Sequence, residues 1–488
     1  MNLDGSLSRR GLIKGAAGVL GVTAVGALAG CSVTGKSSKP LKAAANPVKI
    51  TFSPWGQNNY WQKYVQPGLQ KFLQANPNIQ VTVVAPGGGG AMAAQIAAGT
   101  GADVFEDWVV PAYLNGTNAL VLNLEPYLKA DGLSTSLWSP GQMRALSTTT
   151  GVYFLPCYVH VDTVAINLSA LDALGLAYPS PDWDYTEALA LWQKATTTLN
   201  GTQYYGINPD YNFTNIGTFA NDTRAWALHI MGGDVMDDSR TVCTVDSAEV
   251  ISAVDWWNNN VNWPGLYNGG GINQNVVFQY TGSNGILLNL QQWAQNFNWT
   301  YFPVPAFPSP VNQISFEALD FHAINVSTKY PEQAWALLKY IAADPYYTNF
   351  VAKYTLRPPS LISSWDSYVS LVEQEAPFAS KLGINYFIDA AQTWGYAGRS
   401  FLYQDEQALT LINQALASAA AAKNTSSATV LKAAAQAVNS LIQAAMTSSS
   451  SSSSGSASTS GSSASSSSAS SSSSASGSKS SSSSSSAY

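Results

Sequence analysis

The chain has 488 residues, and 29 acidic side chains against 23 basic ones leave a net charge of −6. That balance argues against nucleic acid as a partner, which selects a basic face. Charged residues make up only 11 % of the chain, well under the roughly one quarter usual in globular domains, while 15 Trp and 24 Tyr exceed what a core of this size ordinarily needs.

The first residues, MNLDGSLSRRGLIKG, precede a run of small and apolar residues from Ala16 to Gly30. That run is shorter than the ~20 residues needed to span a bilayer. A charged front, a short apolar middle and a small-residue end describe a signal peptide over residues 1–30. Ser8-Arg9-Arg10-Gly11-Leu12-Ile13-Lys14 resembles a twin-arginine export signal. Leu28-Ala29-Gly30-Cys31 resembles the bacterial lipobox, which implies cleavage before Cys31 and diacylation of that cysteine. Two acyl chains hold stably where one binds only marginally. The expectation is a protein lipid-anchored on the extracellular face of the cell membrane, exported by the twin-arginine or the general secretory route, with residues 31–46 as anchor and linker. Cys157 and Cys243 are either a disulfide pair or two small buried hydrophobes.

Val48, Ile50 and Phe52 alternate with polar residues, a helical pattern runs from about Trp61 to Gln74, and Ile79, Val81 and Val83 alternate again. Gly87–Gly90 opens a further helix, and Asp103-Val104-Phe105 begins a third strand. Strands and helices in alternation predict an α/β protein with right-handed crossovers and a largely parallel sheet. Ligands of such sheets sit at the carboxyl ends of the strands. Trp55, Gln57, the four glycines, Glu106, Asp107 and Trp108 therefore fall on one rim. The glycines are a loop or an anion nest, without the Lys-Ser/Thr of a nucleotide P-loop.

Farther along, Asp184-Tyr-Thr-Glu187 and Asp246-Ser-Ala-Glu249 have the spacing of capping boxes. Pro331 suits the first position of a helix, and GILLNL and YFPVPAF read as buried strands. An Ala-rich helical pattern extends from Asp405 to Met446, broken near KNTSSAT. Residues 447–488, nearly all serine, have nothing to bury against chain entropy and read as a disordered tail. With only His160, His229 and His322, no His-x-x-x-His pair and no Cys cluster, neither a metal nor a cofactor is expected.

This order of landmarks resembles the bacterial extracellular solute-binding proteins of sugar ABC importers, the maltose-binding-protein-like group. The likeness rests on GTGADVFEDW, LNGTNALVLNLEPYL, GVYFLPCYVHVDTVAINLSALDALGL, PSPDWDYTEALALWQKAT, MGGDV, GSNGILLNLQQWAQ and TKYPEQAWALLKYI. It implies a two-lobed, type II periplasmic-binding-protein-like fold, with the ligand in a cleft between lobes joined by hinge strands. The chain would cross between lobes near His160–Val164, near Pro305–Pro310 and around Ser360. Residues 47–160 and 311–360 would then form the amino-terminal lobe, and residues 161–310 and 361–446 the carboxy-terminal one. The resemblance implies a monomer, not an enzyme, that captures a mono- or oligosaccharide and delivers it to an ABC permease with a separate ATPase.

Residue by residue, Asp162 matches the acidic hinge residue that accepts sugar hydroxyls, Trp293 matches the family's stacking tryptophan, and Trp394 resembles a second one. Asp107 or Trp108 falls where the amino-terminal lobe offers a carboxylate or an aromatic ring. The sequence departs from the family where EDWVVP shifts the acidic position and where LNLQQW lacks a Gly-Pro before the tryptophan. Physical chemistry asks for the same residue types. A sugar ring presents an apolar face that suits a flat aromatic, and hydroxyls that cost about 1–3 kcal/mol each if buried unpaired. Arg224 with Trp226, and Trp55, Gln57 and Asp320, extend such a set. The competing class is a secreted glycoside hydrolase, with Asp107 and either Asp320 or Glu317 as acid and base; a surface adhesin built on the serine tail is a third.

Overall fold

In the computed structural model, β1 (Val48–Ser53), β2 (Ile79–Val83) and β3 (Val104–Asp107) form where alternation places them. The structure describes residues 46–54, 65–85, 88, 90–108, 110–115, 118–180, 182–208, 233–266, 275–282, 298–302, 305, 315–355, 357–375, 395–397 and 401–453. β1 pairs in parallel with both β2 and β3. Between them lie α1 (Gln70–Ala75) and α2 (Ala91–Ala97). The cap of α2 is Gly90 at φ 81°, a left-handed value that a residue without Cβ adopts freely. Of the helix expected over 61–74, the described part starts near Gln66, with Pro67 in its first turn.

The other described strands of the large sheet are β4 (Leu155–Asn167), β5 (Tyr205–Asn208), β6 (Val276–Gly282), β7 (Trp299–Phe302), β8 (Ser315–Ile324) and β9 (Gly395–Ala397). β4 organises the molecule. Its 13 residues reach ~43 Å at ~3.3 Å per residue, about twice the usual strand. Leu155–Val161 pairs antiparallel with β8, from Leu155 opposite His322 to Val161 opposite Glu317, with an irregularity between Leu319 and Phe321. Asp162–Asn167 pairs instead with β6 and β7, Asp162 lying opposite Gly282. The strand order is β5-β6-β4-β8-β3-β1-β2, with β7 beside β4 and β9 beside β8. One strand thus serves two sheets, exchanging partners between Val161 and Asp162. The sheet is mixed rather than largely parallel, because β4 and β8 both run against their main neighbours.

Among the helices that follow are α3 (Pro140–Leu146), α4 (Tyr185–Ala195), α5 (Ala248–Trp257), α6 (Pro331–Ala343), α7 (Pro345–Thr355), α8 (Trp365–Glu375), α9 (Asp405–Ala421) and α10 (Ala428–Ser453). Around β1, β3 and β8 the first lobe has apolar layers on both faces, as alternation requires. One holds Phe52, Val104, Leu155 and Ile324 under Trp138 and Trp335; the other holds Phe105, Phe154, Phe321 and Tyr113. Trp138 is fully buried and donates Nε1–H to Ala342 O at 2.8 Å. Among the described residues of the second lobe, Val164, Ile166 and Phe278 meet Trp183, Trp192, Ile412 and Leu431 in one core. The lobe's final helices, α9 and α10, pack on each other.

Several local expectations shift by a residue or a segment. Asp184 caps α4, accepting from Thr186 N and Glu187 N at 2.8 Å, and Pro331 opens α6. The cap of α5 is Ser247, accepting from Val250 N at 3.3 Å, one residue beyond Asp246. α8 packs on α7, whose Tyr347 and Val351 reach into the core around β1 and β3. Trp365 anchors it, donating Nε1–H to Pro359 O at 2.6 Å. α10 continues through Met446 into the serine run as far as Ser453. Thr447 and Ser448 turn their hydroxyls back onto the carbonyls of Gln443 and Ala445, so the start of the expected tail is helix; residues 454–488 lie outside the described residues. GILLNL also lies outside them, and YFPVPAF begins in β7.

A second contact joins the lobes away from the sheet. Arg240, buried and at φ 63°, donates to Ala145 O and Ser147 O at 3.3 Å, at the end of α3. Beside it Asp405, at the start of α9, accepts from Phe401 N at 2.6 Å. Burial pushes this carboxyl up to about 7, against the pull of the Phe401 amide and of Arg240. Among the described residues no helix is long and apolar enough to cross a membrane.

Candidate functional site

The carboxyl ends of β1 and β3 form the rim that the sequence marks out. β1 closes on Ser53, whose hydroxyl donates to Ala85 O at 3.0 Å. β3 closes on Glu106 and Asp107, both buried, and Trp108 follows, partly exposed. Asp107 is turned inward. Its carboxylate accepts from Gly90 N at 3.1 Å, from Trp108 N at 2.7 Å and from the Tyr113 hydroxyl. Burial, followed by the charge of Asp107, raises the Tyr113 phenol far above its ordinary range, so it stays a donor. Asp107 therefore holds Gly90 and orients the backbone of Trp108 instead of presenting a free carboxylate.

Where β4 and β8 meet, a different set is partly open to solvent. Asp320 Oδ2 lies 3.9 Å from Arg357 Nη1, with side-chain exposures of 19 % and 13 %. The Arg357 guanidinium stands over the Tyr158 ring, 5.4 Å from its centroid, a cation–π placement. Arg357 is held by its neighbours: Val159 N donates to Pro358 O at 2.8 Å and Ser360 N to Cys157 O at 3.2 Å. Gln142 braces the same segment, donating to Tyr158 O at 2.5 Å and accepting from the Ser360 hydroxyl. Sequence reasoning missed Arg357. The signal was RPPS beside the crossing expected around Ser360, an arginine fixed by two prolines.

Across the change of partners, β5 ends on Asn208, buried and donating Nδ2–H to Gln279 Oε1 at 2.8 Å. Asp162 is placed only by its backbone, opposite Gly282, and Glu317 likewise, opposite Val161. Trp55, Gln57, Arg224, Trp226, Trp293 and Trp394, together with Gly87, Gly89 and Cys31, lie outside the described residues. The structure thus brings Asp107, Trp108 and Asp320 to one end of the first lobe's sheet, with Asp107 already engaged.

Beneath that end lies a juxtaposition not legible in the sequence. Glu106, Cys157 and His322 come together from β3, β4 and β8, and all three are buried. His322 Nε2 is 2.9 Å from Glu106 Oε1, and Cys157 Sγ is 3.0 Å from His322 Nδ1 and 3.3 Å from Nε2. Burial, then the charges of Glu106 and Asp320, push the Cys157 thiol up, with Arg357 opposing. Cys157 and Cys243 are both free, which decides between the two readings of that pair.

Solved structures resemble this architecture over most of its length. An ABC substrate-binding protein from Listeria monocytogenes, in complex with cycloalternan, is 13 % identical with a TM-score of 0.61, covering 82 % of this chain and 100 % of its own. A cyclic α-maltosyl-1,6-maltose binding protein from Arthrobacter globiformis is 15 % identical with a TM-score of 0.63, covering 82 % and 100 %. The GacH receptor of Streptomyces glaucescens, solved unliganded and with acarbose, is 17 % identical with a TM-score of 0.56, covering 81 % and 98 %. These likenesses show the fold, two lobes of the type II periplasmic-binding kind. No curated protein sequence matches the chain. The profile of the bacterial extracellular solute-binding proteins matches residues 54–348, and with the shared strand β4 and the lobe on either side of it, the chain belongs to that family.

Proposed function

We propose that the protein is a carrier: it captures a mono- or oligosaccharide between its lobes and delivers it to an ABC permease powered by a separate ATPase. The observation that carries this reading is β4, whose two halves belong to different sheets. Lobes sharing a strand can rotate about it, and a ligand touching both favours the closed form. Such a ligand acts only through the difference in its affinity for the two forms; moving from 1:99 to 99:1 takes about 5.5 kcal/mol. The lobes divide at Val161/Asp162, again between Phe302 and Ser315, and once more after Glu375.

In this reading Trp108 offers a ring face, and Asp320 with Arg357 offers charged partners to hydroxyls. Asp162, Trp55, Gln57, Arg224, Trp293 and Trp394 are proposed contacts on the strength of the family resemblance. Asp107 supports the rim without touching the sugar. That engagement also weighs against a hydrolase in which Asp107 serves as acid or base. Sugars in the solved relatives, cycloalternan and acarbose among them, support a carbohydrate as cargo. Cys31 is the proposed lipid anchor that keeps the carrier beside its permease.

The test is a thermal-shift screen of the protein against mono-, di- and oligosaccharides, followed by recovery of each ligand that shifts melting. A ligand at 100 times its Kd adds about 2.7 kcal/mol, enough to see. A shift with the sugar recovered intact is the expected result. Cleaved sugar would transfer the site to the hydrolase reading, and no shift with any saccharide would remove carbohydrate as the cargo.

A further inference from the structure

We propose that Glu106, Cys157 and His322 form a binding site for one divalent transition-metal ion of the zinc(II) class, which pins β3, β4 and β8 together. The three donors, a carboxylate oxygen, a sulfur and an imidazole nitrogen, lie within 4.8 Å of one another. Exposures of 4 %, 6 % and 3 % place all three in the interior. Each stands on a different hydrogen-bonded strand, and Glu106 is in register with His322. Strands hold such a constellation more firmly than loops do.

The spacing is close to what coordination requires. Bond lengths of ~2.3 Å to sulfur and ~2.0–2.1 Å to nitrogen and oxygen, arranged tetrahedrally, set sulfur and nitrogen ~3.5 Å apart and nitrogen and oxygen ~3.3 Å apart. The observed separations from His322 Nε2 are 3.3 Å to sulfur and 2.9 Å to oxygen, and loading requires the Cys157 and His322 side chains to turn until the sulfur and one ring nitrogen face the same ion.

The donor set chooses the ion. Calcium and magnesium take oxygen ligands, whereas mixed sulfur, nitrogen and oxygen suits borderline ions such as zinc(II) or cobalt(II). Binding exchanges the thiol proton for the metal: the S–H bond breaks, a sulfur–metal bond forms, and the proton leaves to solvent. One thiolate, one carboxylate and a neutral imidazole then balance a dication. The layer is electrically neutral when loaded.

Because the chain has three cysteines, the test uses the full chain with Cys31→Ser and Cys243→Ser, leaving Cys157 as its sole thiol. Metal-free, reduced protein is titrated with cobalt(II). The expected result is a thiolate-to-cobalt charge-transfer band in the near ultraviolet that saturates at one equivalent, is displaced by zinc(II) and is untouched by calcium(II) or magnesium(II). Adding Cys157→Ser should abolish the band, and His322→Gln or Glu106→Gln should weaken binding by more than about tenfold. A folded, cobalt-saturated protein without the band overturns the proposal, as does a band that survives Cys157→Ser. The first of these results needs no substitution within the site, so it does not depend on whether the variants fold.

Discussion

The two lobes handle buried acid groups differently. At the end of β3, Glu106 and Asp107 point to opposite faces of the sheet, and each meets dedicated partners: His322 for one, and Gly90, Trp108 and Tyr113 for the other. The described core of the second lobe is apolar, and a buried acid, Asp405, sits beside Arg240 where the lobes touch. At the first lobe's rim the buried acids are held by hydrogen bonds, whereas Asp405 is buried where the lobes touch. Burial of Asp405 outweighs its partners, which puts a pH-sensitive group at the contact between the lobes.

The largest effect that bears on this contrast should come from the apolar side. Trp183, fully buried and stacked on Phe278 with centroids 5.6 Å apart, should lose about 3–5 kcal/mol as Trp183→Ala. Urea unfolding reads this, and a loss below about 1 kcal/mol would show the second core to be less packed than the structure has it.

Next comes Asp405. Its folded pKa, pushed up to about 7 from 3.8, means the folded state holds the proton more tightly than the unfolded one. Its contribution is present in full below pH 4 and is lost as pH rises through 7. Asp405→Asn should therefore gain on the wild type by up to about 4 kcal/mol between pH 4 and pH 8, at ~1.4 kcal/mol per pKa unit. Denaturation at several pH values checks it; a gap that does not change with pH refutes the assignment.

Asp107 tests the hydrogen-bonded rim. Asp107→Ala strands the buried Tyr113 hydroxyl and two backbone amides, for a cost of about 2 kcal/mol, while Asp107→Asn keeps a carbonyl acceptor and should cost less. Equal losses would mean that the acceptor is not what matters. The smallest effect belongs to the surface pair of Arg144 and Asp238, 3.3 Å apart and 53 % and 89 % exposed. Asp238→Ala should stay within about 0.5 kcal/mol, and a larger loss would move weight from Arg240 to this pair as the outer contact between lobes.

Local patterns were legible. Alternation located β1 to β3, Asp184 and Pro331 announced their helices, and the order of motifs implied the two lobes. What depended on distant partners was not. An aspartate that ends a strand reads as a ligand contact, and only Tyr113 and Gly90, brought in by the fold, show Asp107 to be engaged. Cys157 and His322 are 165 residues apart, so no spacing rule joins them. Ser247 and Asp246 are both good caps, and one residue of helix register chose between them. Serine is a poor but tolerated helix residue, which is why composition placed the end of α10 too early.

β8 has a consequence for how the chain comes into being. It is the strand that fits between β4 and β3, yet Glu106 and its partner His322 are 216 residues apart. During synthesis β3 and β4 exist long before the piece that joins them, and until Ser315–Ile324 has been made each keeps a bare edge. The amino-terminal lobe is therefore begun first and closed late. Pairings so remote in sequence make for slow folding, and a nascent chain of this kind stays open to chaperones until its missing strand arrives.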